Sequence, residues 1–343
     1  MKKVLTAAGF VLFSFILSPK AMARDDFSQF YVFGDSLSDT GNIFAASSFS
    51  DPGNPIPPSP PYSQGRFSNG DIWVNFVGDD IGLTPTLIPP PGNTTIPTDG
   101  INFAIGGSSS GLGNALNPDS GLPGVLGQVG SFTQILQANN QQADPNALYA
   151  VWGGANDYVF GGVTDTSQTV ENLSNAIALL TQAGAKNIAV FNLPDLGQLP
   201  RPIAENTSAE LTQLTEDHNA ALEQALGGFS VIPDVNIIPI DVNSLFKRVV
   251  ANPGEFGFTE NPATSCVVGD IGSITSVCNN PNEFVFFDSV HPSSKSHRLV
   301  ADLTLSAIKH ETVPEPSTVF STLVVGAVGT VGALKRKRQR LSR

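Results

Sequence analysis

The chain has few cysteines and histidines, the side chains that most often bind zinc. Its 343 residues include two cysteines and four histidines, His218, His291, His297 and His310. They form neither a Cys-x-x-Cys pair nor a histidine cluster, so no spacing indicates a zinc site. We expect no metal ion and no organic cofactor in the chemistry of this protein.

Basic residues are scarce once the two ends are set aside. Residues 24–316 contain 9 of the 18 Lys and Arg residues and all 30 Asp and Glu residues, a formal charge of −21. Such a charge repels nucleic acid and anionic membrane surfaces. It excludes a nucleic-acid partner and indicates an acidic, exported domain.

The N-terminal end has the pattern of a secretory signal peptide. Lys2 and Lys3 precede an apolar run from Val11 to Leu17, and Ala21-Met22-Ala23 is an A-x-A cleavage site. The apolar run is too short to span a membrane. We expect residues 1–23 to be removed, which leaves Arg24 at the N-terminus of an exported protein.

The C-terminal end, residues 313–343, has three parts in order. A Val-Pro-Glu-Pro motif at 313–316 precedes an apolar stretch from Thr318 to Leu334, and Lys335 begins a basic tail. The stretch has about the minimum length of a membrane-spanning helix, and the basic tail favours the cytoplasmic side. The order resembles the PEP-CTERM sorting signal of Gram-negative bacteria. That resemblance implies transient anchoring in the inner membrane, processing by an exosortase-type enzyme, and a final place at the cell surface, in the extracellular matrix or in the medium. A plain tail anchor is the alternative, so cleavage or retention of the tail stays open.

The two cysteines, Cys266 and Cys278, are a disulfide candidate because the chain is predicted to be exported. The bridge would close a loop of about a dozen residues, worth about 3 kcal/mol in the chain-entropy model. Since the loop lies just before residues 288–291, we expect it to brace that segment.

Strand-like and helix-like patterns alternate through residues 24–312. The strand candidates are Phe30–Phe33, Ile101–Ile105, Ala147–Trp152, Asn187–Asn192 and Asn236–Ile240. The helix candidates are Val170–Ala183, Ser208–Leu226 and Ser294–His310. This alternation predicts one α/β domain, a three-layer α/β/α sandwich with a mostly parallel central sheet. The prolines of residues 52–61 exclude a helix or a central strand there.

Ser36 follows the first predicted strand in a Gly-Asp-Ser turn. In open α/β sheets the sites lie at the carboxyl ends of the strands, so Ser36 is a candidate nucleophile. Glycine, aspartate and serine are also ordinary turn residues, and the motif alone is weak.

His291 is the candidate base. Asp288 stands three residues before it on a predicted tight turn, where a carboxylate can orient an imidazole. Asp288 as a helix cap beside a surface histidine is the alternative. The other three histidines fall on predicted helices, and we expect them on solvated faces.

Two further strand ends provide hydrogen-bond donors. Gly107 follows the strand at 101–105, and Asn156 follows the strand at 147–152. The Gly107 N–H and the Asn156 amide could stabilise an oxyanion beside Ser36. A tight turn at Gly107 and an Asx-turn at Asn156 are the alternatives.

Together these segments resemble the GDSL, or SGNH, family of serine esterases and lipases. The similarity extends from Phe30 to the last predicted helix, and Gly65–Gly70 resembles a segment of the family's lipase-like branch. The resemblance implies the SGNH-hydrolase, flavodoxin-like fold. It also implies catalysis by Ser36, Asp288 and His291, with Ser36, Gly107 and Asn156 as the oxyanion hole.

One competing pattern lies at Gly107–Gly111. It matches the Gly-x-Ser-x-Gly nucleophile elbow and would make Ser109 the nucleophile. That reading leaves the Gly-Asp-Ser turn and Asn156 without a role, so we assign the segment to the oxyanion loop instead.

The predicted function is an exported serine hydrolase that cleaves carboxylic esters through an acyl-serine intermediate. A lipid acyltransferase would use the same acyl-enzyme, and a non-catalytic surface or matrix binding protein is a further alternative. The expected partners are a small-molecule or lipid ester and the processing enzyme of the tail. Lipid, short-chain and acetyl esters all stay open as substrates, as does the oligomeric state.

Overall fold

The computed structural model describes residues 27–90 and 92–310. The predicted signal peptide, residues 1–23, and the predicted sorting signal, residues 313–343, lie outside these residues. Of the helices in the described part, none is long and apolar enough to cross a membrane.

A sheet of six parallel strands forms the centre of the domain, in the order β2-β3-β1-β4-β5-β6. The strands are β1 (Phe30–Gly34), β2 (Thr86–Leu87), β3 (Ile101–Asn102), β4 (Leu148–Trp152), β5 (Asn187–Phe191) and β6 (Asn236–Ile240). All five strands predicted from the sequence are present, and β2 was not predicted. The prediction of a mostly parallel α/β sheet is confirmed.

Helices cover both faces of the sheet. They are α1 (Asn42–Ser50), α2 (Trp73–Ile81), α3 (Val125–Ala138), α4 (Ala155–Val159), α5 (Thr166–Ala183), α6 (Pro200–Glu205), α7 (Ser208–Gly227), α8 (Val242–Ala251) and α9 (Ser294–His310). Side chains alternate along β1, so that Phe30 and Val32 belong to a hydrophobic core shared with α2, α8 and α9, whereas Tyr31 and Phe33 belong to a core shared with α3 and α5. Two hydrophobic cores therefore lie on opposite sides of the sheet.

Two predicted element boundaries were wrong by more than one residue. Helix α5 begins at Thr166, four residues early, because the Asp165 side chain accepts the Ser167 N–H and caps the helix. Strand β3 ends at Asn102, three residues early. The chain nevertheless follows β1 further, since the N–H groups of Phe103 and Ile105 donate to Val32 and Gly34 of β1.

A small antiparallel hairpin stands apart from the main sheet. Its strands are β7 (Val267–Asp270) and β8 (Ser273–Val277), and a disulfide between Cys266 and Cys278 closes its base. The Cys266 and Val267 N–H groups donate to Phe286 and Phe287. The predicted disulfide is therefore present, and its hairpin is fastened to the residues that precede Asp288.

The strand order places a crevice at the carboxyl end of β1. After β1 the chain turns to β2 and β3 on one side, and after β3 it crosses to β4 on the other. Ligands of open α/β sheets bind at such a reversal of strand order. The segments that follow β1, β3 and β4 all open onto this crevice, and they carry Ser36, Gly107 and Asn156.

Candidate active site

Ser36 lies on a tight turn two residues beyond the end of β1. The Asp35 backbone carbonyl accepts the N–H groups of Ser38 and Asp39, and the Asp35 carboxylate accepts the Leu37 N–H at 3.0 Å. A Cβ atom at Gly34 would lie 2.8 Å from a backbone oxygen of β4, so only glycine fits immediately before the turn. The turn directs the Ser36 hydroxyl away from the sheet and into the crevice.

Asp288 and His291 share a second turn. One carboxylate oxygen of Asp288, Oδ1, accepts the backbone N–H groups of Val290 and His291 at 2.9 and 2.7 Å. The other, Oδ2, lies 2.7 Å from His291 Nδ1. Local hydrogen bonds thus hold the carboxylate in position to orient the imidazole.

The two turns meet through the imidazole of His291. His291 Nε2 lies 2.8 Å from Ser36 Oγ, and the three side chains are at most 8 % exposed. Burial by itself raises the pKa of Asp288, but His291 and hydrogen bonds from His291, Tyr62 and the Val290 N–H together hold that pKa below its usual value. The carboxylate is therefore charged, and the arrangement can move the hydroxyl proton of Ser36 to His291.

The predicted oxyanion donors border the same crevice. Gly107 has a φ of +79°, and a Cβ there would lie 2.8 Å from Asn114 Oδ1. In the described residues, neither the Ser36 N–H nor the Gly107 N–H donates a hydrogen bond. Asn156 Nδ2 donates one of its two hydrogens to the Ser108 carbonyl at 2.9 Å, and this bond orients the amide. Ser36, Gly107 and Asn156 line one cavity, so all three can donate to an oxygen placed beside Ser36.

The competing nucleophile, Ser109, lies elsewhere. Its hydroxyl donates to the Gly113 carbonyl at 2.7 Å and accepts the Gly111 N–H. Its neighbour Ser110 donates both its N–H and its hydroxyl to Asp157. The Gly/Ser run is thus an internally bonded loop held beside Asn156, and in the part of the chain that the structure describes no imidazole hydrogen-bonds to Ser109.

The expectation that the other helical histidines face solvent was wrong for two of them. His218 and His297 are 0 and 1 % exposed. His218 Nδ1 bonds to the Tyr158 hydroxyl at 2.9 Å. Burial lowers the pKa of His218 to about 4, and burial, then the charge of His291, lowers that of His297 to about 3. Both are neutral core residues at neutral pH.

Sequence reasoning missed one residue of the site. The Tyr62 hydroxyl donates to Asp288 Oδ2 at 2.6 Å, and Tyr62 is 1 % exposed. Tyr62 follows the proline-rich segment 52–61, which has no periodic pattern. No local signal joins it to a carboxylate that lies 226 positions away in the chain.

A cleft of about 350 Å³ opens over Ser36 and His291. Apolar side chains from five separate segments line it: Ile43, Ile56, Phe67, Leu116, Leu122, Phe160 and Ile271. Arg201 provides a cation at its edge, where it stacks on Phe160 and pairs with Glu205 and Asp270. A smaller apolar cavity beneath Ser36 is lined by Trp152, Leu199 and Phe286 among others.

The described residues contain no group of three or more His, Cys, Asp or Glu side chains that could hold a metal ion.

The sequence profile of the GDSL-like Lipase/Acylhydrolase family matches residues 30–304. The esterase EstA of Pseudomonas aeruginosa is 30 % identical over 339 residues, which cover 88 % of this chain and 50 % of that protein. The phosphatidylcholine-sterol acyltransferase of Aeromonas hydrophila is 30 % identical over 243 residues, 70 % of this chain and 66 % of that protein. The chain spans about half the length of the first curated relatives it matches. A solved structure, the aryl esterase of M. smegmatis, aligns with a TM-score of 0.46 at 12 % identity, over 82 % of this chain and 99 % of that one.

Proposed function

The chain belongs to the GDSL-like lipase/acylhydrolase family of esterases and lipases, and we propose that it cleaves carboxylic esters through an acyl-serine intermediate on Ser36. The observation that carries the proposal is the hydrogen-bond chain from Ser36 Oγ through His291 to Asp288. The N–H groups of Ser36 and Gly107, which donate to no atom of the described residues, and the Asn156 amide add the donors that an oxyanion needs.

The reaction follows from this geometry in two halves. Ser36 Oγ bonds to the ester carbonyl carbon while its proton passes to His291 Nε2, and Asp288 stabilises the imidazolium. The carbonyl oxygen receives hydrogen bonds from Ser36, Gly107 and Asn156. When the ester C–O bond breaks, His291 returns the proton to the departing alcohol. A water molecule, deprotonated by His291, then releases the acid and frees Ser36.

Two serine variants test the assignment. We expect Ser36→Ala to abolish hydrolysis of a nitrophenyl ester, with at least a ~10³-fold loss of kcat. Ser109→Ala is the matched control, because the Ser109 hydroxyl bonds to Gly113 and Gly111 within its own loop, and the variant should retain most of the activity. Loss of activity in Ser109→Ala alone would contradict the assignment.

The cleft supports esters with an extended acyl chain as substrates. Its lining is largely apolar, and its volume of about 350 Å³ is much larger than an acetyl group requires. We therefore place lipid-type esters above acetylated polysaccharides. Nitrophenyl esters of increasing chain length, measured beside acetyl-xylan and a lysophospholipid, test this order. Higher kcat/KM on acetyl-xylan than on the longer esters would reverse it.

Acyl transfer is the second candidate function. It is favoured by the similarity to the phosphatidylcholine-sterol acyltransferase of Aeromonas hydrophila, and it needs the same acyl-enzyme. An alcohol or sterol acceptor would then take the place of water in the second half of the reaction. Product analysis with and without added sterol separates the two, because transfer yields a sterol ester and hydrolysis yields only free acid.

We also propose that residues 1–23 direct export, that residues 24–312 form the hydrolase domain, and that residues 313–343 act as a PEP-CTERM sorting signal. The sequence patterns at the two ends support this. Mass spectrometry of the protein made in a Gram-negative host should find Arg24 at the N-terminus. It should find the tail removed only when the host has an exosortase-type enzyme.

A further inference from the structure

Residues 62–69 form the wall of the site that faces the Asp288–His291 turn. They follow the proline-rich segment and contain most of the Gly-Arg-Phe-Ser-Asn-Gly motif. Four of their side chains contact residues 288–294, which lie more than 220 positions later in the chain. The catalytic turn is thus fixed by a segment that carries none of the catalytic side chains.

Tyr62 makes the most direct of these contacts. Its hydroxyl donates to Asp288 Oδ2 at 2.6 Å, the oxygen that also accepts from His291 Nδ1 at 2.7 Å. Oδ1 accepts two backbone N–H groups, so both oxygens of this buried carboxylate accept two hydrogen bonds each. Phe287 and Phe67 pack on the Tyr62 ring at centroid distances of 5.2 and 6.4 Å, so the phenol has little freedom to move.

The rest of the segment holds the imidazole and the following helix. The Phe67 ring lies 5.0 Å from the His291 ring, and Ser68 Oγ donates to the Pro292 carbonyl at 2.9 Å. Asn69 Oδ1 accepts the N–H of Ser294, the first residue of α9, at 2.8 Å. Each contact restrains a different part of the turn.

We propose that Tyr62 is a positioning residue that holds Asp288 and moderates its negative charge toward His291, with Phe67, Ser68 and Asn69 as the frame. The proposal rests on the proposed function, because it assigns Tyr62 a role in the same proton transfer. The free energy that a hydrogen bond to a charged group typically contributes corresponds to about a tenfold change in rate or more. The proline-rich segment 52–61 then has a function, which is to bring Tyr62 to the carboxylate.

The proposal predicts the direction of a pH effect. Without the phenol hydroxyl, Asp288 Oδ2 presents more negative charge to the imidazole, which favours the protonated ring. The acid limb of the kcat/KM profile should therefore move to higher pH. Within the described residues, the neighbouring charged or titratable groups include Asp35 after β1, His297 on α9, Asp270 on the hairpin and Arg201 at the cleft edge, and all remain in a Tyr62 variant.

The test compares Tyr62→Phe with two controls in the full chain. Tyr149→Phe removes a hydroxyl from another buried tyrosine, whose bond to the Asp144 carbonyl at 2.9 Å lies outside the site. Ser68→Ala removes a frame contact without touching Asp288. We expect Tyr62→Phe to lower kcat about tenfold, to change KM little and to raise the acid-limb midpoint by about half a unit. Neither control should move the midpoint.

Two further measurements decide the remaining outcomes. The downfield proton resonance of His291 Nδ1–H should shift in Tyr62→Phe but not in Tyr149→Phe, and this readout does not need a substrate. Replacement of Tyr62 by 3-fluorotyrosine keeps the ring and strengthens the donor, so it should move the midpoint to lower pH. An unmoved midpoint with an unmoved resonance would overturn the proposal. If the wild type is inactive on every ester but the resonance still shifts in Tyr62→Phe, the proposed function is wrong, whereas the coupling between Tyr62 and Asp288 is supported.

Discussion

The Asp39 carboxylate accepts the Gly106 N–H at 2.9 Å and so joins the serine turn to the loop that presents Gly107. It also accepts the N–H groups of Gly41, Asn42 and Ile43 at the start of α1. One buried side chain therefore fixes the relative position of the proposed nucleophile and one proposed oxyanion donor.

Removal of that carboxylate should affect both stability and turnover. We expect Asp39→Ala to lower the free energy of unfolding by about 2–4 kcal/mol, because it leaves several buried N–H groups without an acceptor. It should also lower kcat, since the Gly107 loop loses its anchor. Asp241→Ala is the matched control, because Asp241 caps α8 through the Ser244 N–H outside the proposed catalytic and oxyanion residues. It should reduce stability with kcat unchanged. Equal kcat losses in the two variants would contradict the anchoring role of Asp39.

A bulky residue in the cleft should change chain-length preference. Leu116 lines the cleft over Ser36, whereas Leu112 is more exposed and does not line it. We expect Leu116→Trp to reduce kcat/KM for octanoyl and longer esters by about tenfold or more while acetyl esters are hardly affected. Leu112→Trp should preserve the wild-type profile. If Leu116→Trp lowers kcat/KM for all esters by the same factor, the cleft does not hold the acyl chain.

The disulfide should stabilise both the fold and the Asp288 turn. Cys266 is buried, and its N–H donates to Phe286, two residues before Asp288. We expect the Cys266→Ser/Cys278→Ser double variant to lose about 3 kcal/mol of unfolding free energy. A lower kcat should accompany this loss, measured at a temperature where the variant remains folded. An unchanged kcat would show that the hairpin does not restrain Asp288.

Stability should fall in mild acid because His218 is buried as a neutral ring. Its pKa is lowered by burial to about 4, against about 6.5 in an unfolded chain. The unfolded state therefore binds the additional proton first, and the contribution of neutral His218 is lost progressively as the pH falls from about 6.5 to about 4. Over this pH range we expect the free energy of unfolding to fall by about 3 kcal/mol more in the wild type than in the His218→Gln variant. Urea unfolding at several pH values measures the difference, and parallel pH dependences would contradict it.

The sequence predicted the parts of this molecule that have local signals. The strands at 30–34 and 148–152 are apolar runs followed by turn residues, and the Asp288–His291 spacing is a feature of one turn. The parts that it did not predict depend on contacts between distant segments. His218 lies in a polar stretch of α7, and it is buried where that helix packs near Tyr158 and Gly154.

Tyr62 is a residue of the site that the sequence did not predict, for the same reason. Its neighbours are prolines and small polar residues, which predict only an irregular segment. Its role depends on a contact across the whole domain, with Asp288. The short β2 was not predicted either, since two exposed residues carry no periodic pattern.

The most direct test of the account is to identify the residue that an ester-like inhibitor modifies. We expect an aryl organophosphate, or a p-nitrophenyl phosphonate, to inactivate the protein with one adduct per chain. Peptide mass spectrometry should place that adduct on Ser36, and Ser36→Ala should take up none. An adduct on Ser109, or full ester hydrolysis by a protein whose Ser36 is unmodified, would contradict the assignment of Ser36 as the nucleophile.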